Sequence, residues 1–177
     1  KELGVTHVWY TGIIRHATTT DYSTYGIPKQ HPAVVKGNAG SPYAITDYYD
    51  VDPDLAIDVE KRMKEFEALV KRTHKEGLKM IIDFVPNHVA RQYKSVAKPE
   101  GVVDFGEDDD TGKQFSPMNN FYYCPGADFA PDIDLYHGCE EPYQEFPAKA
   151  TGNDCFSNRP GRNDWYETVK LNYGVDY

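Results

Sequence analysis

The chain has 177 residues, with 28 Asp and Glu against 19 Lys and Arg and a formal net charge of −9, which is the size of one domain or part of one. That acidic balance, with no basic block, removes the attraction that supplies most nucleic-acid affinity, and no nucleic-acid partner is expected. Apolar residues make up 40% but run for only a few positions at a time, far short of the roughly 20 needed to cross a bilayer, so no membrane span is expected.

The chain opens on Lys1-Glu2-Leu3-Gly4-Val5, which reads as a helix end with a glycine stop leading into a strand. It therefore reads as starting inside a fold. A signal region would lie upstream, which leaves the location unknown and compatible with an extracellular or periplasmic protein. Val5 to Ile14 is rich in β-branched and aromatic residues with little polar alternation, the pattern of a strand buried on both faces in a parallel sheet. Arg15 to Pro42 turns polar and punctuated, predicting a long loop.

Tyr43 to Pro53 (YAITDYYDVDP) closes that loop. Its tyrosines could offer flat faces to a sugar while Asp47 and Asp50 accept hydroxyl hydrogen bonds, or the segment could be a packed turn with capping aspartates. Asp54 to Glu76 is the clearest helix, because Val59, Met63, Phe66, Val70 and Thr73 recur at helical spacing, with Asp58 as N-cap and Gly77 as stop. Leu78 to Val85 is a second buried strand, ended by Pro86-Asn87-His88, so the order is βαβ with a right-handed crossover. After His88 the chain carries turn residues every few positions, many tyrosines, and a helix-like stretch only near Asn163 to Tyr173.

Asp83 stands near the end of a buried strand and His88 lies five residues on, where parallel α/β folds place their sites; stitching of neighbouring loops is the alternative for this pair. Glu107-Asp108-Asp109-Asp110 lacks the alternate ligands and distal glutamate of an EF-hand loop and is read as solvated. Phe121-Tyr122-Tyr123 and Trp165-Tyr166 are read as module core, with outer sugar subsites as the alternative. Cys124, Cys139 and Cys155, spaced by 15 and 16 residues, match no zinc pattern; one disulfide with a third thiol and three unpaired thiols both fit.

Taken together, these segments resemble the α-amylase family of glycoside hydrolases, family thirteen. The resemblance is carried by Tyr43-Ala44-Ile45-Thr46-Asp47-Tyr48, by the Val51-Asp52-Pro53 turn, and by Asp83-Phe84-Val85-Pro86-Asn87-His88, which looks like the family's first conserved region. It implies an α/β fold, a partial (β/α)8 TIM barrel in which Val5 to Ile14 and Met80 to Val85 are strands two and three. Residues 1–88 would then be barrel and 89–177 a loop-rich domain B insertion. By the same resemblance Tyr43 would stack beneath a glucose ring, His88 would hydrogen-bond a hydroxyl of that ring, Asp83 would orient the site, and Asn87 matches a position that binds structural calcium in many members. Ala44 departs from the pattern, since many members have an aspartate there.

The implied activity is retaining hydrolysis of α-glucosidic bonds in starch, glycogen or malto-oligosaccharides. Retention needs two carboxyl groups about 5 Å apart, and no credible pair stands in this chain. The nucleophile and general acid are expected beyond Tyr177, with the remainder of the barrel, and the chain alone is expected to be inactive. A transglycosylase or α-glucoside isomerase of the same family, or a non-catalytic carbohydrate-binding or interaction domain, is the alternative.

Overall fold

The computed structural model describes residues 2–133, 139 and 141–174. The first apolar stretch forms strand β1, His7–Tyr10, and Gly12 then takes a left-handed turn with φ 68°. The chain re-enters extended structure as β2, Ile14–His16. The single strand expected over Val5 to Ile14 is thus two strands in different sheets, because the glycine turn redirects the chain. Strand β2 pairs antiparallel with β3, Ile45–Val51, a strand that the sequence patterning did not predict.

Helix α1 spans Arg62–Lys75. Its predicted first turns are instead two short 3-10 turns, Pro53–Leu55 and Val59–Lys61. Asp58 caps the second of these, accepting from the Glu60 amide at 3.2 Å. Glu65 reaches back to accept the Ile57 and Asp58 amides, both at 2.9 Å, which satisfies donors that a helix start leaves free. Gly77, at φ 68°, ends the helix with its amide on the His74 carbonyl.

Strand β4, Lys79–Ile82, follows and pairs parallel with β1 in the register His7↔Lys79 to Tyr10↔Ile82. The predicted βαβ unit is therefore present. Its predicted burial on both faces is not, for Trp9 is 67% exposed and Ile81 and Ile82 are exposed as well. Helix α1 packs on β4 from outside its own sheet, and one helix covers one face of a sheet.

The rest of the chain is built from short pairings. Strand β5, His88–Ala90, and β8, Thr168–Lys170, pair antiparallel, as do β6, Tyr123–Cys124, and β7, Ala148–Lys149. The helix pattern near Asn163 to Tyr173 becomes β8, because Val169 lies across from Val89 in a core with Phe121, Tyr123 and Leu171. Phe121, Tyr122 and Tyr123 are all buried, in accord with their assignment as core.

Charged side chains lie inside this half. The Arg91 guanidinium, with no exposed side-chain surface, meets Glu145 at 2.6 Å. It also donates to the Tyr166 and Thr168 carbonyls and lies 4.1 Å from the centre of the Phe129 ring. In the acidic run, Glu107, Asp108 and Asp110 are exposed. Asp109 instead turns inward and accepts from the Asn120 and Phe121 amides and the Tyr123 hydroxyl. Cys124 packs beside the Phe129 cluster and pairs in β6, and neither it nor Cys155 is in a disulfide.

Candidate active-site cleft

Residues 83–88 leave β4 and turn into β5, and two tyrosines pin them. The Tyr48 hydroxyl of β3 donates to the Val85 carbonyl, and the Tyr173 hydroxyl donates to the Pro86 carbonyl. The Leu171 amide donates to the Asn87 carbonyl at 3.1 Å. His88, 5% exposed, opens β5 opposite Lys170. Gly152 lies so close behind it that a Cβ there would sit 2.9 Å from the His88 Cβ and 2.5 Å from the Thr168 hydroxyl. The glycine is what lets the imidazole seat here.

The loop carrying Tyr43 arrives by a similar close approach. Gly40 takes φ +70°, and a Cβ on it would fall 1.7 Å from the Ala17 carbonyl oxygen, a position open only to glycine. The Ala17 amide donates to the Ala44 carbonyl, and Ala44 is buried with Ala17, Val35 and Ala90. The position where many family members have an aspartate is thus an apolar contact in this chain. Tyr43 itself stays 45% exposed.

These segments enclose a cleft of about 440 Å³ whose lining includes Tyr43, Asn87, His88, Trp165, Lys36 and Glu167. Trp165 is 41% exposed, and its ring lies edge-on to His88 at 5.2 Å between centroids. Burial pulls the His88 pKa below the ordinary histidine value, against an opposing push from the Tyr43 backbone. The ring is therefore neutral at pH 7, with one nitrogen to donate and one to accept. Its Nδ1 is buried and has no hydrogen-bond partner among the described residues. A larger groove of about 600 Å³ runs along α1 beside Tyr10, Val51, Leu55 and Phe66, but two of its charged lining residues are already engaged, Arg62 by Asp50 and Glu65 by the Ile57 and Asp58 amides.

The structure brings Tyr43, Asn87 and His88 into one cleft, and Asp83 stands apart from it. One Asp83 oxygen accepts from the Trp9 indole at 2.7 Å, and the other is buried without a partner among the described residues. Asp47 and Asp50, considered as hydroxyl acceptors, are buried and already engaged. Asp47 meets Arg15 at 3.1 Å and accepts the Val96 and Ala97 amides, while Asp50 takes a two-pronged contact from Arg62 at 2.7 and 2.8 Å. The packed alternative holds for this strand. Among the described residues no group of three or more His, Cys, Asp or Glu side chains stands together as an ion's shell. The charged groups lining Asn87's cleft, Lys36 and Glu167, pair with each other at 3.1 Å.

Lys36 and Glu167 were not singled out from the sequence, where a lone lysine in a loop and a lone glutamate after two aromatics carry no signal. The sequence reads Trp165 as core, with an outer sugar subsite as the alternative; the structure places it on the cleft.

A family model described as the alpha amylase catalytic domain matches residues 1–131. Maltase A2 of Drosophila melanogaster is 30% identical over 129 residues, covering 67% of this chain and 18% of that protein. The amino acid transporter heavy chain SLC3A1 of Rattus norvegicus is 43% identical over 51 residues, 29% of this chain and 7% of that one. A crystal structure of an alpha-amylase from Lactobacillus plantarum shares 29% identity and a TM-score of 0.38, over 54% of this chain and 18% of its own. The chain spans less than a fifth of the length of these relatives. With the family model matched over well beyond half its length, the chain belongs to the α-amylase catalytic domain family.

Proposed function

We propose that this chain is the substrate-positioning part of a retaining glycoside hydrolase of α-amylase type, acting on α-glucosidic bonds of starch, glycogen or malto-oligosaccharides. The observation that carries the reading is the convergence of Tyr43 and His88 on one cleft within a chain of this family. An exposed tyrosine offers a flat apolar face to a sugar ring, and a neutral, buried imidazole offers a directional hydrogen bond to a hydroxyl. Asp83, at the end of β4, steadies the strand through Trp9.

Strands β1 and β4 are strands two and three of a (β/α)8 barrel in this account, and residues 89–177 are the domain B insertion. The remaining strands would cover the exposed faces of β1 and β4 and bring the nucleophile and the general acid to the cleft. In retention one carboxylate attacks the anomeric carbon, the other protonates the leaving oxygen, and water then releases the sugar. The task of the present residues is to hold the ring so that attack is in line.

Two experiments test this. The purified chain on its own should release no reducing sugar from starch; release above background would mean that a catalytic pair has been missed. In the full-length protein, Tyr43→Ala should impair turnover of maltotriose. A second reading, a non-catalytic amylase-like domain, is favoured by the resemblance to a transporter heavy chain. It requires one of the carboxylates to be missing from the sequence beyond Tyr177.

A further inference from the structure

Glu167 is the second buried group in the cleft with a polar atom that has no hydrogen bond among the described residues. Its side chain is 6% exposed, one oxygen lies 3.1 Å from the Lys36 ammonium, and the other is buried with no hydrogen bond among the described residues. Its backbone is fixed, because its carbonyl accepts the Arg91 amide at 2.9 Å. The turn ahead of it is fixed as well, since the Trp165 carbonyl accepts both the amide and the hydroxyl of Thr168 at 2.9 Å. A carboxylate oxygen withdrawn from water and left unmatched is costly unless something supplies a donor. His88, across the same cleft, is in the same condition at Nδ1.

The chemistry of a group that would pair with this oxygen is constrained. Lys36 already balances the Glu167 charge, so the cleft presents a neutral pair and an unmatched acceptor, which repels a further anion and suits a group that donates a hydrogen. A hydroxyl does so, and it can also accept from or donate to a neutral imidazole. Trp165 adds an apolar face beside it.

We propose that Glu167, held in place by Lys36, accepts a hydrogen bond from one hydroxyl of an uncharged sugar seated in the cleft and thereby determines substrate specificity. The proposal rests on the glycoside-hydrolase reading above and adds to it the residue that reads the sugar. Lys36 is a positioning residue in this scheme, acting through Glu167.

The test uses the full-length protein with maltotriose and a series of its monodeoxy analogues, each lacking one hydroxyl. The wild type should discriminate against the analogue lacking the recognised hydroxyl by about ten- to a hundredfold in kcat/KM, the range for one hydrogen bond to a charged acceptor. Glu167→Gln should lose a comparable factor on maltotriose and lose most of its discrimination against that one analogue, leaving the others in their wild-type order. A purely structural role would lower the melting temperature and scale all substrates together, and an unchanged analogue profile in E167Q overturns the proposal. Should E167Q not fold, Lys36→Met is read in the same way, because it leaves the carboxylate and removes what holds it; a profile shifted at that analogue supports the proposal and an unshifted one overturns it. A wild-type protein that turns over no malto-oligosaccharide would overturn the glycoside-hydrolase reading itself.

Discussion

The β1–α1–β4 unit and the short-stranded half after His88 are stabilised in opposite ways. In the first, apolar side chains line the strands and lie open, as Trp9, Ile81 and Ile82 do, with Phe84 just beyond β4 67% exposed. In the second, strands of two or three residues enclose charged and aromatic side chains, with the Arg91 guanidinium fully buried against Glu145, two backbone carbonyls and Phe129. Hydrophobic pattern picks out β1 and β4 as strands; it does not say what covers them. Where regular pairing is scarce, a buried arginine that binds several carbonyls does the work a wider sheet would do.

The largest effect should come from the open unit. Removed from the rest of a barrel, the chain should associate through the exposed faces and edges of β1 and β4, since unpaired strand edges are templates for further pairing. Size-exclusion chromatography with light scattering checks this. A monodisperse monomer with a sharp cooperative melt would show that the unit needs no covering and that the contrast is false.

Next in size is the loss of the buried hub. In the full-length protein Arg91→Ala should destabilise by about 3–5 kcal/mol, because Glu145 would keep a buried charge without its partner. Denaturant melts measure it. A loss below about 1 kcal/mol, the range of an exposed pair, would mean that Arg91 is not what holds the second half together.

A smaller effect is expected at Gly152, behind His88. Adding a methyl group there forces Thr168 or His88 aside, and overpacking of this kind costs about 1–3 kcal/mol. Because His88 is one of the groups displaced, Gly152→Ala should also lower turnover of maltotriose. Full activity with a lowered melting temperature would indicate that Thr168 gives way and His88 does not.

The smallest effect concerns pH. Burial pulls the His16 pKa down, but the Asp52 carboxylate, 2.9 Å from Nδ1, and the Ile14 and Ala39 carbonyls outweigh it and leave the value raised. A raised folded pKa gives stability that is complete below the unfolded value of about 6.5 and is lost as pH rises through the folded value. Melting temperature should therefore decline from about pH 6.5 upward, and His16→Gln should flatten that decline. A wild-type profile that rises over the same interval would reverse the assignment.

Much of the framework was legible in the sequence. The apolar segments that became β1 and β4, the periodic face of α1 and the aromatic core at Phe121 to Tyr123 each carry a local signal. Strand β3 was hidden because its aspartates read as exposed or capping groups; they are buried by Arg15 and Arg62, and the Arg15 contact spans 32 residues. Strand β8 was hidden because three residues are too few to show a period, and its identity depends on β5. At the cleft, Tyr43 and His88 stood out through motif resemblance, whereas Lys36 and Glu167 become a pair only when the fold closes the distance between them.

The account's central claim, that Tyr43 and His88 share one sugar-binding cleft, is tested most directly by the steady-state kinetics of Tyr43→Ala on maltotriose in the full-length protein. Removing the stacking face should lower kcat/KM by about tenfold or more, in line with the alanine cost of an aromatic platform. Kinetics indistinguishable from the wild type would contradict the claim.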